Sequence, residues 1–218
     1  MNSEQQLNKI AEYSHARMTQ DRTGHGFDHI RRVVAMARKL SAKENADLLV
    51  TLASAYLHDV IDDKLVADPQ AALDDLQAFL TEIEVSAQQS KKILFIIQNM
   101  SFAHTLDGEA VLLPLEGQIV QDSDWLDAIG AIGITRAIYF GGHHSEKIYD
   151  PRIKPRESMT KEEYRNLQNE TIINHFYEKL LKIKDKLNTP SARQIAEDRQ
   201  QFMLDFLSEF KDEWQAEK

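Results

Sequence analysis

Residues 48–63 read LLVTLASAYLHDVIDD, and the interpretation of this stretch decides the fold. The spacing predicts a helix over about Asn45 to Val60, with Leu48, Leu49, Leu52, Tyr56 and Leu57 all apolar. A helix that is apolar around nearly its whole circumference has no solvated face, so it belongs at the centre of a core. His58 and Asp59 then emerge near its C-terminal end, at the edge of that core.

The flanking segments also show helical spacing. Upstream, GFDHIRRV (26–33) opens a helix in which Ile30, Val33, Val34, Ala37 and Leu40 recur at steps of three and four. Asp28 is its expected N-cap, which places His29 in the first turn. Downstream, helices are predicted over 69–82, with Pro69 in the first turn, and over 86–100. A loop is read over 101–117. A single helix is expected from Gly117 to about Phe140 despite Gly130 and Gly133, two glycines spaced to allow close helix contact. Pro151 and Pro155 lie in a break over 141–158, and two helices are expected after it, 160–187 and 190–213. Thr189 is the N-cap of the last one and Pro190 its first residue. With 8 Gly and 5 Pro in 218 residues and no useful strand pattern, the expectation is an all-α, single-domain bundle over 1–218. Within it, 20–140 is the core, 141–158 a mobile loop and 159–218 the C-terminal helices.

Composition excludes several classes. The formal charge of −9 argues against nucleic-acid polymers as partners, because phosphate backbones bind through summed Lys and Arg contacts. A small polyanion still fits if a metal and a few local cations reverse the field in one place. The absence of Cys excludes disulfides and thiolate ligands. Neither a signal-peptide pattern nor an 18-residue apolar span is read, so no membrane association is expected and the location expected is cytoplasmic. Phe206, Phe210 and Trp214 are expected to pack on their own domain, with a homodimer contact as the alternative, so the chain is read as monomer or homodimer.

Chemistry concentrates at His29, His58, Asp59 and Asp124, the last within QDSDWLD (121–127). Two imidazoles and two carboxylates form a mixed N/O set suited to a borderline-hard divalent ion. Their wide separation is unlike a zinc finger, where one turn presents all ligands, and requires several helices to converge. Asp62 and Asp63 follow His58 and Asp59 by four residues, on the same face if the helix continues. Acids at a helix C-terminus oppose its dipole, which favours a nearby cation. Arg32 shares a side with His29. His175 and Lys179 are one turn apart, and Lys182 and Lys186 extend that stripe. His143 and His144 are expected at the surface.

These residues resemble the HD-domain metal-dependent phosphohydrolases, whose ligand pattern is a His, a His-Asp pair and a distant Asp. His29, His58, Asp59 and Asp124 match it position by position. GFDHIRRV (26–33), AYLHDVIDDKL (55–65), QDSDWLDAIGAIG (121–133), HFYEKLL (175–181) and NTPSAR (188–193) are similar to a bacterial subgroup that includes nucleoside triphosphate pyrophosphohydrolases. The resemblance covers about residues 20–215. It implies one divalent ion, manganese first, with iron, nickel, magnesium or zinc compatible with the same donors. It further implies Asp62 and Asp63 as catalytic carboxylates that handle a proton, and His175 and Lys179 as phosphate contacts. Arg32 and His104 join them as candidate substrate contacts. His104 is the lone histidine of 86–117, too few there for a second metal. Trp125 stands where relatives often carry Arg.

The implied reaction converts a (deoxy)nucleoside triphosphate to the monophosphate and pyrophosphate. The alternatives are a phosphomonoesterase or cyclic phosphodiesterase, or a metal-containing nucleotide-binding module without turnover.

Overall fold

The computed structural model describes residues 1–18, 26–62, 66, 68–102, 111–158, 160, 162–163 and 170–217. The chain divides into two compact units, Met1–Ser123 and Asp124–Lys218. Among the described residues it is helical throughout, and pairing outside helices is limited to one parallel bridge between Lys147 and Thr171. No helix of the described residues is long and apolar enough to cross a membrane.

The first unit holds α1 (Ser3–Met18), α2 (Phe27–Glu44), α3 (Leu48–Leu57), α4 (Pro69–Glu82) and α5 (Ala87–Asn99). Helix α6 (Leu115–Asp127) starts there, and the division falls within it. Helices α1, α2 and α5 all pack on α3, and α4 packs on α5. Residues 49–55 and Leu57 of α3 are buried. A ten-residue helix is marginal in isolation, and Val50 and Thr51 are β-branched, so propensity does not account for it. Packing does: burial of Leu49, Val50, Leu52 and Leu57 contributes on the order of 1.5–3 kcal/mol each.

Three boundaries differ from the sequence reading. Helix α2 is preceded by Gly26 at the N-cap, not by Asp28, which lies in the first turn. Asn45 adopts a left-handed conformation (φ 56°) that ends α2, so α3 cannot begin there. It starts instead after Asp47, whose side chain accepts from the Val50 N–H at 3.1 Å. Beyond Leu57 the chain turns rather than continuing as helix. Helices α4 and α5 meet their expectations closely, capped by Asp68 and Ser86.

The helix expected over 117–140 is two helices, α6 and α7 (Gly130–His143). Gly130 has φ 75°, a conformation that costs a side-chain-bearing residue strain, and Ile129 before it is extended. The Arg199 guanidinium donates to the Leu126 carbonyl at the end of α6. A Cβ on Gly133 would lie 2.3 Å from the Ala128 carbonyl oxygen, so the chain can fold back over α7 only because Gly133 has none.

The second unit continues with α8 (Ile172–Glu178), a 3₁₀ turn (Leu180–Lys182), α9 (Ile183–Lys186) and α10 (Pro190–Trp214). Helix α7 packs on α10 and α8, and α9 packs on α10. The long helix expected over 160–187 is thus broken. Lys179 leaves helical geometry (φ −132°, ψ −60°), so the expected stripe His175, Lys179, Lys182 and Lys186 is not one helical face. The segment expected as loop from 141 is helical to His143. Past it, Asp150 accepts from Arg152 Nε at 3.0 Å and from the Arg152 terminal nitrogen at 2.8 Å. His143 and His144 are exposed. Thr189 caps α10, with Pro190 in its first turn. Phe206 and Phe210 pack within their own unit, against Phe176 and Tyr149 at ring separations of 5.8 Å in each case. Trp214 stays half exposed.

Replacing Gly133 with Ala should destabilise the fold by about 1–3 kcal/mol through overpacking. At roughly 2–4 °C per kcal/mol for a chain of this size, calorimetry should show a lower thermal midpoint with metal affinity unchanged.

Candidate metal centre

Three of the sequence-selected ligands meet in the first unit. His29 sits in the first turn of α2 and is fully buried; His58 and Asp59 follow α3 and are each 7% exposed. His58 Nε2 lies 3.3 Å from His29 Nε2 and 3.3 Å from Asp59 Oδ2, and His29 Nε2 lies 3.7 Å from the same carboxylate oxygen. The three could hold one metal ion between them.

The local fold sets the direction of these atoms. A helix leaves its last four carbonyls without partners, and α3 ends inside the core. His58 Nδ1 lies 2.9 Å from the Ala55 carbonyl oxygen, an atom that only accepts, so Nδ1 carries the hydrogen and a neutral ring presents a bare Nε2 lone pair. The Ser14 hydroxyl donates to the Tyr56 carbonyl at 2.6 Å. Two otherwise unpartnered carbonyls are satisfied in this way, and one of the two donors is a candidate ligand. Metal-binding histidines use the same arrangement, the second ring nitrogen being held by a carbonyl.

The donor set tests the fit to a cation. His58 Nε2 and Asp59 Oδ2 are both acceptors, 3.3 Å apart. One proton on His29 Nε2 relieves one contact of three, whereas a divalent ion accepts from all three atoms. Their mutual separations of 3.3–3.7 Å are those of donors sharing one ion at bonds of about 2.1 Å. The C-terminal dipole of α3 adds negative potential at the same place. A divalent cation therefore fits, with one face of its coordination sphere supplied by the protein.

The helix does not continue to Asp62, so the shared face that such a continuation would have given does not form. A turn carries Asp62 instead, its backbone N–H donating to the Asp59 carbonyl at 3.1 Å, and it is partly buried. Asp124 lies on α6, partly buried, at the start of the second unit. Asp63 and His104 fall outside the described residues. Arg32 donates to Asp28 at 2.7 Å. That bond, with the Arg32 charge, holds the Asp28 carboxyl below its usual range although burial opposes it.

In the second unit His175 and Lys179 bracket the end of α8, both partly buried. His175 Nδ1 lies 3.0 Å from Glu170 Oε1, and the other Glu170 oxygen lies 3.2 Å from Arg156. Arg156 also donates from its backbone nitrogen to Glu178 Oε1 at 2.8 Å and from Nε to Oε2 at 3.0 Å. Burial opposes the Glu170 charge, but the His175 hydrogen bond and the Arg156 charge outweigh it and keep the carboxyl below its usual range. Glu146 is pushed up, first by burial and then by Glu170. Sequence reading missed Glu170 and Arg156, since nothing in periodicity links residues 156, 170 and 178. The only available signal was an Arg among the charges of a proline-broken segment.

Comparison with known proteins agrees with this geometry. The HD domain family model matches residues 26–129. YpgQ of Bacillus subtilis (strain 168) is 32% identical over 206 residues, covering 94% of this chain and 92% of that protein. Its structure in complex with ADP superposes with a TM-score of 0.79 at 30% identity, covering 98% of this chain and 97% of that one. A Lactobacillus plantarum structure reaches a TM-score of 0.88 at 49% identity, covering 99% of this chain and 100% of that chain. An HD-superfamily hydrolase from Bacillus thuringiensis gives 0.78 at 37%, with 99% and 100% covered.

Titration of metal-free protein with Mn²⁺, followed by calorimetry, should show one high-affinity ion per chain. Asp59→Ala, which removes the charged member of the triad, should abolish that binding while circular dichroism shows the helices intact. Unchanged Mn²⁺ affinity in Asp59→Ala would falsify the site.

Proposed function

The chain belongs to the HD domain family, and on that premise we propose that it is a metal-dependent hydrolase of nucleoside triphosphates, releasing the monophosphate and pyrophosphate. The observation that carries this reading is the convergence of His29 Nε2, His58 Nε2 and Asp59 Oδ2 within 3.7 Å of one another. The ADP complex of YpgQ supports a nucleotide as ligand, and the resemblance of the Asp124 segment supports that residue as a fourth metal ligand. The reading treats both units as one functional domain.

A divalent ion held here supplies Lewis acidity toward a phosphoryl oxygen and acidifies bound water. The chain's own residues supply the remainder. Asp59 is buried among the imidazoles and acts as a ligand rather than a base. Asp62, tied by its backbone to the Asp59 carbonyl, is the carboxylate assigned to take the proton from attacking water, with Asp63 as its partner in this role. Lys179 and His175 are assigned to the phosphate chain, Lys179 as a point charge and His175 through Nε2. Arg32, already paired with Asp28, is assigned to an outer phosphate, and His104 to the rest of the nucleotide. Manganese is the ion proposed, on the strength of the subgroup resemblance and the N/O donor set.

The test is a panel of ribo- and deoxyribonucleoside triphosphates with Mn²⁺, products being resolved by ion-exchange chromatography. Pyrophosphate and monophosphate in equal amounts are expected, and activity should vanish in Asp59→Ala. Lys179→Ala should raise KM about tenfold or more, as expected when a charged phosphate contact is lost. Orthophosphate as the first product would replace the reading with a phosphomonoesterase. Thermal stabilisation by nucleotide without any product would leave a binding module.

A further inference from the structure

The second unit contains a buried ion chain that no metal chemistry requires. It runs from Glu178, 2% exposed, through Arg156 to Glu170, 7% exposed, and ends on His175. The order of charge is minus, plus, minus, and the terminal member is an ionisable ring. Without a proton on that ring the chain carries a net charge of −1 among buried groups, a costly arrangement. Glu146 adds a further acid facing Glu170, and His144 is the basic side chain facing Glu146. Lys179, just past the end of α8, is the basic side chain nearest to His175 in sequence.

Each carboxylate oxygen of Glu170 has its own partner. Oε2 faces Arg156 at 3.2 Å, leaving Oε1 to His175 Nδ1 at 3.0 Å. Arg156 is in turn anchored by three hydrogen bonds that it donates to the Glu178 carboxylate, so Glu170 cannot swing away without breaking its pair with an anchored Arg156. Ring orientation and the Nδ1 proton are therefore both fixed. The one ring nitrogen left to face a ligand is Nε2, and a phosphate oxygen, which only accepts, needs a hydrogen there. An imidazole already protonated at Nδ1 meets that need only as the imidazolium.

Resting on the nucleotide reading above, we propose that Glu170 is the positioning residue of this enzyme: it holds His175 as a doubly protonated cation aimed at phosphate. A fixed carboxylate behind a histidine favours the charged ring, as in other carboxylate–histidine pairs. Glu170 touches no substrate itself and acts through His175 alone.

The experiment is ¹⁵N NMR of the histidine rings in the full-length protein loaded with Mg²⁺, with and without ADP as the probe, paired with calorimetric ADP affinity. In wild type with ADP, His175 should show both ring nitrogens protonated. Glu170→Gln preserves shape but removes the charge; it should lose the doubly protonated signal and weaken ADP binding roughly tenfold. Glu170→Asp, which restores the charge, should recover at least part of both. The thermal midpoint of each variant separates this from loss of fold, because a structural role alone would not move the ring protonation signal in a folded protein. If ADP shifts the His175 ring in wild type and Glu170→Gln keeps the doubly protonated signal with affinity within twofold, the positioning role is overturned while the nucleotide reading stands. If ADP leaves the wild-type His175 ring unchanged, the phosphate assignment fails and this proposal falls with it.

Discussion

A helix buried over most of its length must resolve its own C-terminus inside the protein, and the metal triad grows out of that constraint. Helix α3 is surrounded by α1, α2 and α5, so its last carbonyls have little water to turn to. Ala55 is satisfied by His58 and Tyr56 by Ser14. The bond to Ala55 also settles which ring nitrogen of His58 faces inward. A solvent-exposed helix end would have satisfied the same carbonyl with water and left the ring free to choose its tautomer. Stability and coordination chemistry are served here by one hydrogen bond, so a change that moves α3 moves the site as well.

The same logic, with opposite sign, organises the second unit. Arg156 stands between Glu170 and Glu178, and each buried charge has a partner within hydrogen-bonding distance. Replacing such a network with apolar side chains is often neutral for stability, so its persistence calls for a reason other than folding energy. Holding His175 in one orientation is such a reason. In the first unit a backbone carbonyl orients the ring and leaves a bare lone pair for a cation. In the second a carboxylate orients the ring and favours a proton. Two histidines with the same side chain thus present opposite electrostatic faces, set entirely by what lies behind Nδ1.

Much of this was legible in sequence where a local rule governs. The all-α class, the buried character of α3, the approximate bounds of α4 and α5, the cap of α10 and the triad itself followed from periodicity, cap chemistry and resemblance. The misses have specific causes. Asn45 and Gly130 take positive φ, which a periodic pattern cannot reveal, so α3 was read too long and α6 and α7 were fused. Asp28 looked like a cap because Gly26 offers no side chain to compete with it. The His175 to Lys186 stripe was read on one continuous helix, but Lys179 breaks it. Glu170 was invisible because its partners come from 14 residues upstream and 5 downstream, contacts that only tertiary folding creates.

Charge bookkeeping then bears on what the proposed metal ligands can do. On that reading, with neutral imidazoles, Asp59 and Asp124 bring about two negative charges, enough to balance a divalent ion but not to leave it strongly positive. A triphosphate brings several more negative charges, and the chain as a whole is at −9. On the proposed reading, an ion balanced by its own ligands cannot hold such a substrate without further cations. Arg32 is already shared with Asp28, which reduces the field it projects. On the same reading, Lys179 and His175, the phosphate contacts proposed from the resemblance, would supply the positive charge that the ion lacks. Neutralising the terminal phosphates would also favour a leaving group that departs as a polyphosphate over one that departs as an alcohol, because the stabilised charge develops on phosphate oxygens. On the proposed reading, pyrophosphate release is a reaction in which a histidine backed by a carboxylate has an electrostatic use.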